Sequence, residues 1–200
     1  MMRMQSVRAL SLAAMIAALA ACATAPEPEP GFVSTVAPET LVASIRAAAG
    51  DADAELAVQP LRDSTVEDLR QQASHLEGKR LYRAAAGALD QALEIQPGDP
   101  ALLQERAEAA VLLREFDDAE TLARRAYDLG ARVGPLCRRH WATIKAVREQ
   151  RLEAAASQAG ATQRAQDVAS HSAFVATLAA GVAEADGQIV ACKVAGPDRF

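Results

Sequence analysis

Aromatic side chains are scarce in this chain: its 200 residues include one Trp, two Tyr and four Phe. A β-sandwich or barrel builds its core from aromatic and β-branched residues. An apolar content carried largely by alanine instead suits closely packed helices. Potential metal ligands are also few. Cys137 and His140 stand three apart, which puts them on one side of a helix, but no second pair joins them and a structural zinc site takes four. His75 and His171 stand alone. The sequence has no glycine-rich phosphate loop, no Gly-x-Ser-x-Gly elbow and no His-Glu-x-x-His helix. Asp117-Asp118 falls beside a helix start, where carboxylates offset the dipole rather than act as acid and base. These absences predict no enzyme activity, no metal and no cofactor. A basic excess is missing too: the formal charge of −5 speaks against a nucleic-acid partner. That charge is unevenly spread. Acids outnumber bases from Cys22 to Glu77, whereas Arg124 to Arg151 holds eight basic residues against Asp128 and Glu149, so an acidic front and a basic back are expected.

A long hydrophobic run occurs near the N-terminus, where Arg3 and Arg8 precede Ala9 to Ala21, interrupted only by Ser11. A positive start and a short apolar core are the parts of a secretory signal, and the run is short for a membrane span. It ends in Leu19-Ala20-Ala21-Cys22, which resembles the lipobox of bacterial lipoproteins. That resemblance implies a signal peptide over 1–21, removed ahead of a Cys22 that carries lipid such as palmitate. Loss of Arg3 and Arg8 takes the charge from −5 to −7. Ala23 stands where an Asp would resemble an inner-membrane retention signal, so the resemblance implies delivery to the outer membrane, facing the periplasm. The alternative is an ordinary signal peptide with Cys22 a bystander. Pro26-Glu27-Pro28-Glu29-Pro30 follows, an alternation that favours extended polyproline backbone and reads as a spacer, giving a tether over 22–37.

Residues 38–63 form a pre-repeat segment. Glu39 to Ala49 suits a short helix with Leu41, Val42 and Ile45 on one face and Gly50 ending it, and Glu55 to Pro60 reads as extended. Ser64 and Glu67 have capping-box spacing at the start of the next helix. From there a pattern recurs every thirty-four residues: Leu69/Leu103, Ala73/Ala107, Tyr82/Phe116, Ala85/Ala119, Ala92/Ala126 and Ile95/Leu129. A unit of that length cannot bury its apolar side alone and must stack on its neighbours. With Ala92 to Asp99 as a repeat ending, the pattern resembles the tetratricopeptide repeat family. The resemblance implies an all-α fold of stacked helix hairpins, a short α-solenoid spanning 64–162, with repeats at 66–99 and 100–133 and a degenerate one at 134–162. Departures from the family are Arg80 and Arg114 in turns that usually hold glycine, Ala131 for the closing proline, and no large aromatic in the first helices. Pro100 opens a helix and Gly130 suits a C-cap. In the third pair a helix is expected over Pro135 to Val147, with its pattern resuming at Ala154 after one extra residue. Residues 163–200 then supply a helix from Gln163 to Ala185 and a tail, Gln188 to Val194, of strand composition.

Export would place Cys137 and Cys192 in an oxidising compartment, where they form a disulfide or remain two buried thiols. Stacked pairs curve, and the first helix of each lines the inner side. Arg70, Gln104, Arg106 and Glu108 are the exposed residues expected there to meet an extended or helical segment of a protein partner. Arg138 and Arg139, beside Trp141, either grip carboxylates or phosphates or stay solvated, while the repeat alignment sets Trp141 in the core over Ala107. The resemblance implies an outer-membrane scaffold or adaptor. A self-associating envelope module and an accessory domain of a cell-wall enzyme are the alternatives.

Overall fold

A computed structural model describes residues 35–50, 63–158 and 165–193. The signal, Cys22, the proline spacer and the extended segment expected near Pro60 lie outside them. The described residues are helical, without a strand among them. The elements are α1 (Pro38–Ala47), α2 (Ser64–Gly78), α3 (Tyr82–Ile95), α4 (Pro100–Leu112), α5 (Phe116–Leu129), α6 (Pro135–Gln158) and α7 (Ala165–Ala191). Each of the pairs α2–α3, α4–α5 and α6–α7 packs as a hairpin, and α3 meets α4 as α5 meets α6.

Turn chemistry spaces the hairpins. At the end of α2, Leu81 N–H donates to Leu76 O at 2.9 Å and Arg80 N–H to Glu77 O at 2.8 Å. At the end of α4, Glu115 N–H donates to Ala110 O at 2.9 Å and Arg114 N–H to Val111 O at 3.0 Å. These are paired Schellman closures, and they need one residue in the left-handed region. Arg80 (φ 60°) and Arg114 (φ 61°) adopt it, thirty-four residues apart, where glycine would do so without strain. After each turn an aromatic opens the next helix, and Tyr82 and Phe116 both pack on the same cluster.

Alanines let the axes approach. Ala85, Ala92, Ala107, Ala119, Ala123 and Ala126 are essentially inaccessible, alongside Leu102, Leu103 and Ile144. Each large aliphatic so buried contributes about 1.5–3 kcal/mol. Asp99 caps α4, accepting from Ala101 N–H at 2.7 Å and Leu102 N–H at 3.2 Å, with Pro100 as the first helical residue. Gly130 ends α5 in extended backbone, and a Cβ there would lie 2.9 Å from Ala126 O and 3.2 Å from Pro100 Cβ. Close approach, rather than a left-handed turn, is what calls for glycine.

Three expectations are corrected. The cap of α2 is Asp63, which accepts from Thr65 N–H at 2.8 Å, and Ser64 is already helical. No break follows Arg148: α6 runs through to Gln158, because Val147 to Gln158 contains neither glycine nor proline. Gln188 to Ala191 is helix rather than strand, since α7 continues to Ala191 and Cys192 N–H still donates to Gln188 O at 2.9 Å. That end is held down: Gly134 N–H donates to Cys192 O at 2.7 Å, and the sulfurs of Cys137 and Cys192 are 2.00 Å apart, at bonding distance, with Cα atoms 5.7 Å apart. Trp141 is buried in the cluster with Ala107, edge-on to Tyr127 at 5.1 Å. By length and composition, Val168–Ala191 of α7 is apolar enough to cross a membrane; most of it is exposed, including Val168, Phe174 and Val190.

Candidate functional site

The first arms α2, α4 and α6 contribute to a cavity of about 510 Å³, lined by Glu67, Arg70 and Glu77 of α2, Glu105 of α4, Arg139 of α6 and Arg46 of α1. Helix α1 forms part of its wall. It packs on α4 and α6, burying Leu41, Val42 and Ile45 in a cluster with Val111, Leu112, Ala142, Ala146 and Val147. The sequence predicted that apolar face. It gave no sign of where the face would dock.

The polar side of α1 is held by carboxylates. Arg46 donates from both terminal nitrogens to Glu77, at 2.7 and 2.9 Å, and from Nε to Glu108 at 2.7 Å. Glu77 hydrogen bonding, set against desolvation and joined by Glu108, raises the guanidinium pKa further, so Arg46 stays charged. Glu108 has no accessible surface and also accepts from Arg139 Nε at 3.0 Å and Gln104 Nε2 at 2.8 Å. Gln104 Nε2 reaches Thr143 Oγ1 at 2.8 Å as well, and Thr143 donates to Arg139 O at 3.0 Å. With its nitrogen so engaged, Gln104 turns Oε1 toward His140 Nδ1 at 2.7 Å, which makes His140 the Nδ1–H tautomer. Burial, then the charge of Arg139, lowers the His140 pKa from 6.5 to about 3, so the ring is neutral. Its Nε2 is buried without a hydrogen-bond partner among the described residues.

The six expected partner-binding residues fare differently. Arg70 lines the cavity and is bonded to Glu67 at 2.8 Å and to Glu105 at 2.9 Å. Arg139 lines it too. Gln104 and Glu108, expected to be exposed, are instead buried among α1, α4 and α6. Arg138, almost buried, donates from Nε to the carbonyls of Ala48 at 3.2 Å and Ala49 at 3.0 Å, at the end of α1. Arg106 points elsewhere, to Asp90 of α3 at 2.7 Å. Sequence reasoning missed Arg46, Glu67, Glu77 and Glu105, because a 31-residue separation such as Arg46 to Glu77 leaves no local signal.

The expected basic back is likewise revised. Glu120 accepts from Arg124, Arg148 and Arg151; burial pushes its pKa up, and the three guanidiniums outweigh that and hold it low. Lys145 pairs with Asp186 at 2.7 Å, Arg132 with Asp128 at 3.5 Å, and Arg125 donates to Pro97 O at 2.9 Å. The run is largely neutralised within the fold. Among the described residues no group of three His, Cys, Asp or Glu side chains is arranged to hold a metal ion. In the cavity the carboxylates of Glu67, Glu77 and Glu105 face guanidiniums, an arrangement suited to recognition by shape and paired charge. No protein-family model matches this chain, and no significant match is found among curated proteins.

Proposed function

We propose that the chain is a tetratricopeptide-like scaffold or adaptor, lipidated at Cys22, delivered to the periplasmic face of the outer membrane, and binding a protein partner in its cavity. The observation that carries the reading is the cavity itself, about 510 Å³ between the first arms of successive hairpins and edged by alternating Arg and Glu side chains. The repeat assignment draws on the paired left-handed arginines at 80 and 114 and on the matched exposure of Ile95 and Leu129, each thirty-four residues apart. The anchor rests on Leu19 to Cys22 and the proline spacer behind it. A partner segment there would meet the charged rim and cover the exposed Gln71 and Ser74.

Photo-crosslinking in cells tests it. A photoreactive residue at Ser74, in the cavity, is expected to trap a protein adduct that the same residue at exposed Asp128 does not. Equal adducts from both positions, or none from Ser74, would remove the reading. For the anchor, labelled palmitate is expected to enter the wild-type chain and not Cys22→Ser.

A second reading, self-association, is favoured by one observation: the exposed apolar side of α7 at Val168, Phe174 and Val190. A crosslinker at Phe174 that joins two copies would support it.

A further inference from the structure

Helix α1 differs from the other helices in how it is held. It rests on α4 and α6, and it meets the first hairpin through Tyr82, which packs on its apolar cluster, and through polar bridges: Arg46 to Glu77, and Glu39 accepting from Tyr82 Oη at 2.6 Å. A hollow lies on each side of it. One is the 510 Å³ cavity; the other, about 330 Å³, is bounded by Glu39, Val42, Arg80 and Tyr82. Part of the surface it covers is polar, namely Glu108 and Arg139, and both stay bonded to each other without Arg46. A permanently buried floor gains more from apolar packing than from such a network. A floor that is covered at some times and wetted at others is suited by it.

The contacts also specify what fits. Leu41, Val42 and Ile45 fill the apolar half, and Arg46 enters the fork of Glu77 and Glu108. Arg138 holds the last carbonyls of the helix, which carry the negative end of its dipole. Pairing, packing and end-recognition thus select a short helix with two adjacent aliphatics, a third three residues on, and an arginine directly after it.

We propose that α1 is a resident pseudo-ligand, and that the exchangeable occupant of this groove is a partner-protein helix carrying the same aliphatic–aliphatic–x–x–aliphatic–Arg pattern. The inference rests on the partner-binding reading above and gives it a chemistry. The intact chain is then largely self-blocked, because a tethered helix competes at high effective concentration.

Two measurements on the full chain in detergent test this, with a synthetic peptide of residues 35–50 as probe. Hydrogen exchange of the wild-type chain is expected to show α1 amides exchanging at least tenfold faster than those of α4, since α1 opens by itself. The labelled peptide is expected to bind the Ile45→Asp chain at least tenfold tighter than wild type, and an Arg46→Glu peptide at least tenfold weaker than the native peptide. Exchange of α1 together with α4, or peptide binding no tighter to Ile45→Asp, would overturn the proposal. So would a concentration-dependent dimer trading α1 between copies. If Ile45→Asp loses its helical signal, the wild-type exchange decides alone. A Ser74 crosslink without α1 opening would sink this inference and spare the scaffold; α1 opening and peptide exchange without a Ser74 adduct would do the reverse.

Discussion

Arg80 and Arg114 occupy left-handed backbone that costs a side-chain-bearing residue about 1–2 kcal/mol. Arg80 is exposed, and its contact with Glu39 is long at 3.8 Å. Arg80→Gly is therefore expected to stabilise the chain by about 1 kcal/mol in urea unfolding. Arg114→Gly should gain less, because Arg114 also donates to Val36 O at 3.1 Å. His140 makes a different prediction. Its folded pKa is about 3, and the unfolded imidazole titrates near its ordinary 6.5, so between those values the unfolded chain binds the extra proton. Its contribution is complete above pH 6.5, falls as pH drops, and levels off below about 3. At about 1.4 kcal/mol per pH unit, wild type should lose about 2 kcal/mol more than His140→Gln between pH 7 and 5. Urea midpoints at the two pH values measure the difference. The sequence marks His140 only as a possible half-site beside Cys137. Its neutral, buried state depends on Gln104, thirty-six residues away, and no local pattern announces that.

The helices themselves were legible where periodicity and punctuation agree. Leu41, Val42 and Ile45 share a face, Pro100 starts a helix, and the 34-residue offset places four helix starts and stops. Legibility failed where a repeat pattern was carried past its support. Past Arg148, α6 lacks the glycine or proline that would divide it, and in α7 strand composition at Ile189-Val190 yields to the helix already running through it. The docking of α1 was invisible because ion pairs such as Arg46–Glu108 join residues sixty-two apart. Glycines separate the same way, by neighbours rather than by type. At the junction of α5 with the start of α4, Gly130→Ala is expected to cost about 1–3 kcal/mol, as its Cβ meets backbone at 2.9 Å. Gly87→Ala, inside α3 with nothing within 4 Å, should gain about 0.5–1 kcal/mol. Paired thermal melts of the two variants check both signs.

Across the whole molecule, the Cys137–Cys192 link closes a stretch of fifty-five residues and fastens the end of α7 to the first turn of α6. Chain-entropy reasoning gives such a closure about 4 kcal/mol. Cys192→Ser, or wild type under reductant, should melt lower by a margin of that order, with the first two hairpins least affected. Expected export, and the two cysteines left once Cys22 is set aside, suggested this pairing in the sequence, but only folding α7 back along α6 brings the two ends together. The placement of α1 has a mechanical corollary. Among the described residues, taken from Thr35 inward, the first attachments are Thr35 to Glu153, Val36 O to Arg114, and then the three aliphatics of α1. Any pull arriving through the leading segment would strain these before it reached a hairpin, and peeling them one after another takes less force than shearing two stacked pairs apart. A tug of that kind would loosen the wall of the cavity while the body stayed folded.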